Sequence, residues 1–196
     1  MLSEKTTQIT LLSCSSHHID VIVDGVGSHN PWCFTGVYGW SETSQKTKTC
    51  NMIRDIYKNV DLPWLLGGDL NEILFNFKKK GGFIKSQNVL DAFHETLEEC
   101  GLYNLGFSVY EFTWENRRED GEVVEERLDR FCVSIEWSIT FPDVEVLHLN
   151  ENLSDDLPLF LKIKHAQIRH VKGKRRFMFE NMWVQEESCR QVIKEM

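Results

Sequence analysis

Residues 62–74, LPWLLGGDLNEIL, carry a short apolar run that ends in two glycines and is followed at once by polar side chains. The run is Trp64–Leu66, and Asp69 and Asn71 come directly after the glycine pair 67–68. A short apolar run bounded by glycines predicts a buried strand, and loops at the ends of buried strands often carry functional residues. Aspartate and asparagine are also good helix N-caps, so this stretch alone is equally compatible with a strand that leads into a capped helix.

Two further stretches place acidic side chains next to apolar strands. They are ERLDR, residues 126–130, which contains Asp129, and NLSDDLPLFLKI, residues 152–163, which contains Asp155 and Asp156. Taken singly, the first is typical of a salt-bridged surface strand and the second of a turn. The order and spacing of all three stretches favour a single site. Carboxylates hold Mg²⁺ and orient water, and an amide can hold phosphate, so the set suits metal-assisted phosphodiester cleavage.

The composition is that of one acidic globular domain. The chain has 196 residues, 41% hydrophobic and 27% charged, with a net charge of −8 and a pI near 5.4. Proteins that bind nucleic acid by bulk attraction are usually basic, so the total charge disfavours that mode. Basic runs at 77–85, 116–118 and 169–176 are typical of solvated loops, and they also offer the local positive charge that a phosphodiesterase needs.

The chain carries no signal for export or for membrane insertion. It has no apolar run long enough to cross a bilayer, and its start, MLSEKTTQITLL, lacks the pattern of a signal peptide. We therefore expect an intracellular protein, in the nucleus or the cytoplasm. The cysteines lie in or beside apolar segments with no CxxC pair, which predicts reduced core residues. They are Cys14, Cys33, Cys50, Cys100, Cys132 and Cys189.

Hydrophobic periodicity predicts a mixed α/β protein with largely antiparallel sheets. The predicted strands cover 8–15, 18–23, 31–39, 62–68, 111–114, 122–133, 144–149 and 157–164, with a glycine- and lysine-rich loop over 76–87. A helix over 44–59 is expected to be capped by Ser41 or Thr43. A second helix over 88–100 is expected to stop at Gly101, and a short one over 134–141 completes the pattern.

Taken together, the motifs resemble the endonuclease/exonuclease/phosphatase superfamily, and within it the endonuclease domain of plant non-LTR (LINE-type) retrotransposons. The matching segments, in the family's order and spacing, are WCFTGVYG, LPWLLGGDLNEIL, KKKGGF, LDAFHETLEECGLYNLGFSVYEFTWENRR, ERLDRFCVSIEW and LSDDLPLFL. The resemblance covers residues 10–164. It implies a two-sheet, mostly antiparallel β-sandwich flanked by helices over 1–164, with DNA as partner and Mg²⁺ as cofactor. Residues 165–196 resemble the linker or helical tail that leads toward a reverse transcriptase.

The resemblance gives a role to individual residues. Tyr38 matches the family's phosphate-side tyrosine. Asp69 matches the aspartate that activates the attacking water, and Asn71 matches the asparagine beside it. Asp129 matches the acid that orients the catalytic histidine, and Asp155 matches a metal-proximal acid.

This chain departs from the family pattern in two places. The family's first strands carry an asparagine and a metal-binding glutamate, but no asparagine precedes Asn30 and the only early glutamate is Glu4. We therefore expect the first strands to be lacking, and the principal metal ligand with them. The family's last motif is Ser-Asp-His, whereas this chain has an aspartate, Asp156, in place of the catalytic histidine. An aspartate cannot act as an imidazolium, and it adds a like charge beside Asp155. Both departures argue against Mg²⁺ binding and turnover.

Three hypotheses remain open at this point. The first is a truncated, catalytically impaired endonuclease domain of a retroelement. The second is a non-catalytic module that binds nucleic acid or protein on the same fold. The third is weak residual activity, with Glu72 or Asp20 standing in as metal ligand. Lacking strands would also leave an unpaired edge at 9–15 and 18–24, so self-association through that edge is expected.

Overall fold

A computed structural model describes residues 7–24, 30–108, 110–118, 121–149 and 158–163. The chain divides into two units, Met1–His165 and Ala166–Met196, and every described residue belongs to the first. The roles assigned to Asp155 and Asp156, and the interpretation of the tail 165–196, lie outside the described residues.

Strands and short helices alternate along the chain. The strands are β1 (Ile9–Cys14), β2 (His18–Val23), β3 (Trp32–Tyr38), β4 (Trp64–Asp69), β5 (Lys79–Lys80), β6 (Tyr103–Asn104), β7 (Trp114–Arg117), β8 (Val123–Glu126), β9 (Asp129–Val133), β10 (Val144–His148) and β11 (Leu159–Ile163). The helices are α1 (Lys46–Tyr57), α2 (Gln87–Glu99) and α3 (Ile135–Thr140), with 3-10 turns at Thr43–Gln45 and Asn76–Lys78. The predicted mixed α/β class is confirmed.

The largest sheet has six strands in the order β1-β2-β3-β4-β9-β6. All its neighbouring pairs are antiparallel except β3–β4, which is parallel. A parallel pair needs a crossover connection, and α1 lies in the connection between β3 and β4. Among the described residues, an antiparallel sheet β5-β8-β7 and an antiparallel pair β10–β11 complete the β structure. The predicted dominance of antiparallel pairing is confirmed.

The side chains of β4 alternate between two apolar layers, as expected for a strand buried on both faces. Trp64 and Leu66 pack in one cluster with Ile53 of α1 and Phe93 of α2. Leu65 packs in a second cluster with Trp137 of α3 and with side chains of β10 and β11. The six-stranded sheet therefore has two helices on one face, while α3 and the pair β10–β11 cover the other.

The helix α2 matches its prediction closely. Leu90, Phe93 and Leu97 form its buried face. The helix stops at Gly101, which takes a φ of +62°, and the Leu102 N–H donates to the Leu97 carbonyl at 2.8 Å. In the part of the chain that the structure describes, none of the helices combines the length and the apolar character needed to span a membrane.

The helix α1 begins later than predicted, and neither Ser41 nor Thr43 caps it. Its N-cap is Gln45, which makes no side-chain cap hydrogen bond. The capping prediction was wrong because a 3-10 turn precedes the helix and closes through the backbone. In that turn the Gln45 N–H donates to the Glu42 carbonyl at 2.9 Å.

Residues 122–133 form two strands in different sheets rather than the single strand predicted. The ladder breaks at Arg127 and Leu128, whose N–H groups find other acceptors. The Arg127 N–H donates to the Lys78 carbonyl at 3.2 Å, and the Leu128 N–H donates to the Thr113 hydroxyl at 3.0 Å. The segment 76–87, predicted as a loop, contains β5, which pairs with β8.

The cysteine prediction holds for four of the five cysteines in the described part of the chain. Cys33, Cys50, Cys100 and Cys132 are buried free thiols. Burial raises the pKa of Cys33, Cys100 and Cys132 to about 11, so these thiols are unreactive at neutral pH. Cys14 is exposed, and the prediction was wrong there because all six residues of the outermost strand β1 are exposed.

Gly68 is a position of β4 that does not tolerate a side chain. Its φ is +129°, and a Cβ atom there would lie 2.3 Å from the Val37 carbonyl oxygen. We expect Gly68→Ala to lower the free energy of unfolding by about 3 kcal/mol, because backbone strain and the collision add.

Gly101→Ala is the matched control, since a Cβ at Gly101 would meet nothing within 4 Å. Its expected cost is about 1 kcal/mol, from the left-handed backbone alone. Urea denaturation followed by tryptophan fluorescence measures both variants. Equal losses would show that the close approach of β3 and β4 imposes no energetic constraint.

Candidate functional site

Three of the residues singled out from the sequence lie side by side on adjacent strands. Tyr38 is in register with Asp69 across the pair β3–β4, and Asp69 is in register with Asp129 across the pair β4–β9. Neighbouring strands are spaced by about 5 Å, so these residues lie within one short row. The row sits at one end of the six-stranded sheet and is called here the acidic edge.

A tight turn after β4 fixes the Asp69 carboxylate. Its Oδ1 accepts the backbone N–H of Asn71 and its Oδ2 accepts the Asn71 side-chain amide, each at 2.7 Å. The same amide nitrogen donates to the Gly39 carbonyl at 2.8 Å. Asn71 takes a φ of +53°, a conformation that asparagine adopts more readily than most residues. Both amide hydrogens are thus engaged, which makes Asn71 a positioning residue for Asp69.

The turn is also held from β3 and from α1. The Gly39 N–H donates to the Asp69 carbonyl at 2.7 Å. Lys46, the first residue of α1, donates from its Nζ to the Asn71 carbonyl. Burial lowers the pKa of Lys46, and the negative charge of Glu72 partly opposes that shift. Contacts from two separate elements therefore fix this turn.

A buried guanidinium links the loop that follows Asp69 to the loop that precedes Asp129. Arg130 is 1% exposed, and its Nη2 donates to the Glu72 carbonyl at 2.7 Å and to the Arg127 carbonyl. Glu72 follows the Asp69 turn, and Arg127 precedes β9, so one side chain spans both loops. Burial lowers the pKa of Arg130, yet a guanidinium keeps its proton in a protein.

Two cavities border the acidic edge, and Tyr38 lines both. One has a volume of about 610 Å³ and is lined in part by Asp69 and Lys46. The other has a volume of about 730 Å³ and is lined in part by Asp129 and His17. Tyr38 stands between them with 60% of its surface exposed. A bound molecule at the edge would therefore contact its ring.

The two basic runs that the structure describes, 77–85 and 116–118, are largely neutralised by glutamates. The ion pairs are Lys78–Glu111, Lys79–Glu126, Lys80–Glu125, Lys85–Glu72, Lys85–Glu126, Arg117–Glu115 and Arg118–Glu122. Within the described ranges, Lys46 and Lys48 form no ion pair with a carboxylate. Apart from the buried Arg130, positive charge near the acidic edge is therefore provided by Lys46 of α1 rather than by the paired lysines of the lysine-rich loop.

The described residues do not fit a magnesium ion on their own. Among them, no three His, Cys, Asp or Glu side chains are grouped closely enough to hold a metal. The two stand-in ligands are engaged elsewhere. Glu72 pairs with Lys85 at 2.9 Å, and Asp20 is buried and accepts the Thr35 hydroxyl at 2.7 Å. Mg²⁺ keeps several waters and is usually held by one or two carboxylates, and the two stand-in carboxylates are already engaged with Lys85 and Thr35.

The structure brings four of the assigned residues together: Tyr38, Asp69, Asn71 and Asp129. Sequence reasoning missed Lys46 and Arg130. The charge pattern of ERLDR is typical of a surface strand, yet Arg127 and Arg130 are both buried, and only their tertiary partners reveal this. Lys46 contacts Asn71 across 25 residues of sequence, which no local pattern signals.

Comparison with known proteins yields structural neighbours. No protein-family model matches the chain, and no curated protein sequence matches it. The endonuclease domain of TRAS1, a telomere-specific non-LTR retrotransposon, is similar with a TM-score of 0.62 and 16% identity, over 82% of this chain and 70% of that one. AP endonuclease LMAP from Leishmania major is similar with a TM-score of 0.56 and 12% sequence identity, over 81% of this chain and 61% of that one. A Staphylococcus aureus beta toxin mutant with bound magnesium ions is similar with a TM-score of 0.52 and 15% sequence identity, over 76% of this chain and 58% of that one.

These neighbours share the endonuclease/exonuclease/phosphatase fold, and the chain has that fold. The predicted fold class is thereby confirmed. At identities of 16% or less, the likeness to these structures establishes the fold alone. The chain covers less than two thirds of the LMAP and beta toxin chains.

Arg130→Met should loosen both loops of the site. The variant leaves two buried carbonyls without their charged donor, and we expect a loss of about 2–4 kcal/mol in the free energy of unfolding. Amide hydrogen exchange at Leu70, whose N–H donates to the Leu128 carbonyl at 3.1 Å, should accelerate at the same time.

Arg117→Met is the matched control, because Arg117 is 78% exposed and pairs only at the surface with Glu115. Its expected cost is below about 1 kcal/mol. Urea denaturation compares the two variants. If Arg130→Met proved as stable as Arg117→Met, with unchanged exchange at Leu70, the bridging role of Arg130 would be refuted.

Proposed function

We propose that this chain is a nuclease-like domain of retroelement type that binds DNA and is impaired in phosphodiester cleavage. The observation that carries the proposal is the acidic edge, where Tyr38, Asp69 and Asp129 meet and Asn71 holds Asp69. A phenol can donate a hydrogen bond to a phosphate oxygen, and a fixed carboxylate near it can orient or deprotonate a water. The proposal extends to a nuclear or cytoplasmic location and to a linker role for residues 165–196.

DNA as the partner rests on three supports. Two structural neighbours are endonucleases by name, and the sequence motifs resemble a retroelement endonuclease domain. Lys46 lines the same cavity as the exposed ring of Tyr38 and adds positive charge there, and Lys48 adds positive charge beside Trp40. The net charge of −8 opposes attraction of DNA to the surface as a whole, so contact should be confined to this end of the sheet.

Each residue at the edge has a proposed role. Tyr38 would donate its hydroxyl hydrogen to a phosphate oxygen. Asp69 would accept a hydrogen bond from the water that attacks phosphorus, with Asn71 keeping its carboxylate in place. Asp129, next to Asp69, corresponds to the acid that orients the catalytic histidine in the family that the sequence resembles.

Impairment rests on residue chemistry. Asp156 stands at the family's histidine position, and a carboxylate does not donate a proton at neutral pH as an imidazolium does. Loss of one acid–base partner costs about 10² to 10⁴ in rate. The beta toxin neighbour carries bound magnesium ions, whereas the described carboxylates of this chain do not fit one. We therefore propose weak or absent Mg²⁺ binding.

Nicking of supercoiled plasmid tests the impairment. The unmodified chain should give no chelator-sensitive nicking, and Asp156→His alone should restore at most a trace of nicking. The reason is that groups acting as one catalytic unit do not contribute additively to the rate. Asp69→Asn serves as the control for contaminating nuclease. Clear chelator-sensitive nicking by the unmodified chain, absent from Asp69→Asn, would overturn the impaired assignment.

A non-catalytic binding module is the second candidate. It is favoured because both hydrogens of the Asn71 side-chain amide are bonded within the protein. This amide therefore stabilises the turn and has no hydrogen left to donate to a substrate. DNA binding in chelator, with an affinity that falls steeply as salt rises, would support a nucleic-acid module. Absence of DNA binding under these conditions would leave only a protein partner for such a module.

We also propose that the chain self-associates through β1. In the described residues β1 pairs only with β2, and its apolar side chains are exposed, with Ile9 at 64% and Leu11 at 57%. An apolar edge strand is a template for pairing with another chain. Leu11→Lys should shift the protein to monomer in sedimentation velocity, whereas Ile139→Lys, at an apolar position of α3 that is 73% exposed, should not. A strictly monomeric unmodified chain at high concentration would contradict this.

A further inference from the structure

The rings of His17, Tyr38 and Trp40 form a feature that the site's chemistry does not use, here called the aromatic ledge. The ring centroids of His17 and Trp40 lie 3.7 Å apart with 19° between their planes. Those of His17 and Tyr38 lie 6.3 Å apart with 15° between their planes. The three rings lie in nearly parallel planes, and the His17 and Trp40 rings cover each other, so a further flat ring could stack only on an outer face of the group.

Backbone contacts fix the ledge in place. The His17 Nδ1 donates to the Tyr38 carbonyl at 2.8 Å, and the Tyr38 N–H donates to the His17 carbonyl at 2.9 Å. The Trp40 N–H donates to the Thr49 hydroxyl at 3.0 Å. Because these bonds exist without any ligand, a molecule that stacks here would not have to order the ring-bearing segments first.

Core packing does not account for the ledge. Trp64, which serves the core, is 1% exposed, whereas Tyr38 is 60% exposed. The ledge also lies at a functional boundary, since Tyr38 is in register with Asp69 and lines the cavities on both sides. Tyr38 is exposed and His17 and Trp40 are half-buried, and partly exposed rings at such a place are typical of a binding surface.

The charge beside the ledge indicates an anionic ligand. Lys48 places its Nζ 6.0 Å from the centre of the Trp40 ring, and in the described part of the chain it pairs with no carboxylate. The lysines of the loop at 78–80, in contrast, are each paired with a glutamate. A ligand that matches both features has a flat π face and a negative charge next to it.

We propose that the aromatic ledge binds an unpaired nucleobase of a DNA strand, with the adjoining phosphate near Lys48. The proposal rests on the proposed DNA-binding function and narrows its substrate to single-stranded or locally opened DNA. In a duplex, both faces of each interior base are covered by neighbouring base pairs. A single strand or an extruded base exposes a face that can stack on protein rings.

Fluorescence anisotropy in chelator tests the ledge apart from any cleavage. The labelled probes are an oligothymidylate, an abasic strand of equal length and phosphate number, and a duplex. The unmodified chain should bind oligothymidylate at least about tenfold more tightly than the abasic strand. Trp40→Leu should bring the affinity for oligothymidylate down to the abasic level and leave the abasic affinity unchanged.

Tyr57→Leu is the matched control, because Tyr57 is 43% exposed and its ring stacks on Trp64 away from the ledge. It should keep the full preference for bases. If circular dichroism shows that Trp40→Leu does not fold, His17→Leu replaces it. That variant should also reduce the preference for oligothymidylate over the abasic strand.

The outcomes separate the two proposals. If no probe binds, DNA is not the partner, and the proposed function falls together with the ledge. If all three probes bind with equal affinity, and Trp40→Leu binds like the unmodified chain, the ledge proposal alone is overturned. A base preference that Tyr57→Leu removes as strongly as Trp40→Leu would likewise overturn it.

Discussion

The buried guanidinium of Arg130 is the interaction on which the geometry of the acidic edge depends. A cation in the core is costly unless it finds acceptors, and here one nitrogen of the guanidinium, Nη2, donates to the backbone carbonyls of Glu72 and Arg127. The guanidinium also lies 5.7 Å from the centre of the Phe93 ring, which adds a favourable contact from α2. Both hydrogens of the Nη2 nitrogen are used, so a single donor group joins the two carbonyls. This requirement ties the turn after β4 to the start of β9.

Backbone geometry then sets the positions of the polar side chains. Strand register puts Tyr38, Asp69 and Asp129 in one row, and glycines permit the close approach that this row needs. Asn71 uses its amide to fix Asp69 rather than to reach outward. The edge is therefore rigid without a ligand, which suits a site that must hold a phosphate group in one orientation.

Local patterns predicted those parts of the fold that depend on neighbouring residues in sequence. The apolar run of β4, the face of α2 and its stop at Gly101 follow from period and from glycine chemistry, and they are present in the structure. The break between β8 and β9 was not predictable, because it depends on the distant acceptors Lys78 and Thr113. The burial of Arg130 and the Lys46 contact escaped prediction for the same reason, and the exposure of Cys14 escaped it because β1 lies at the edge of the sheet. The grouping of the site residues came from resemblance to a family, and the strand register explains it physically.

The crossover between β3 and β4, and the late position of β9 in the chain, have a consequence for biosynthesis. The helices α1 and α2 depend on local contacts and can form early, while pairing of β9 with β4 must close a long loop. On the ribosome, β9 leaves the exit tunnel well after β3 and β4. A nascent chain can therefore contain both helices and the first four strands before Asp129 meets Asp69. During that interval the open side of β4 is an unpaired strand edge, so the later half of the domain acts as the cover that closes it during synthesis.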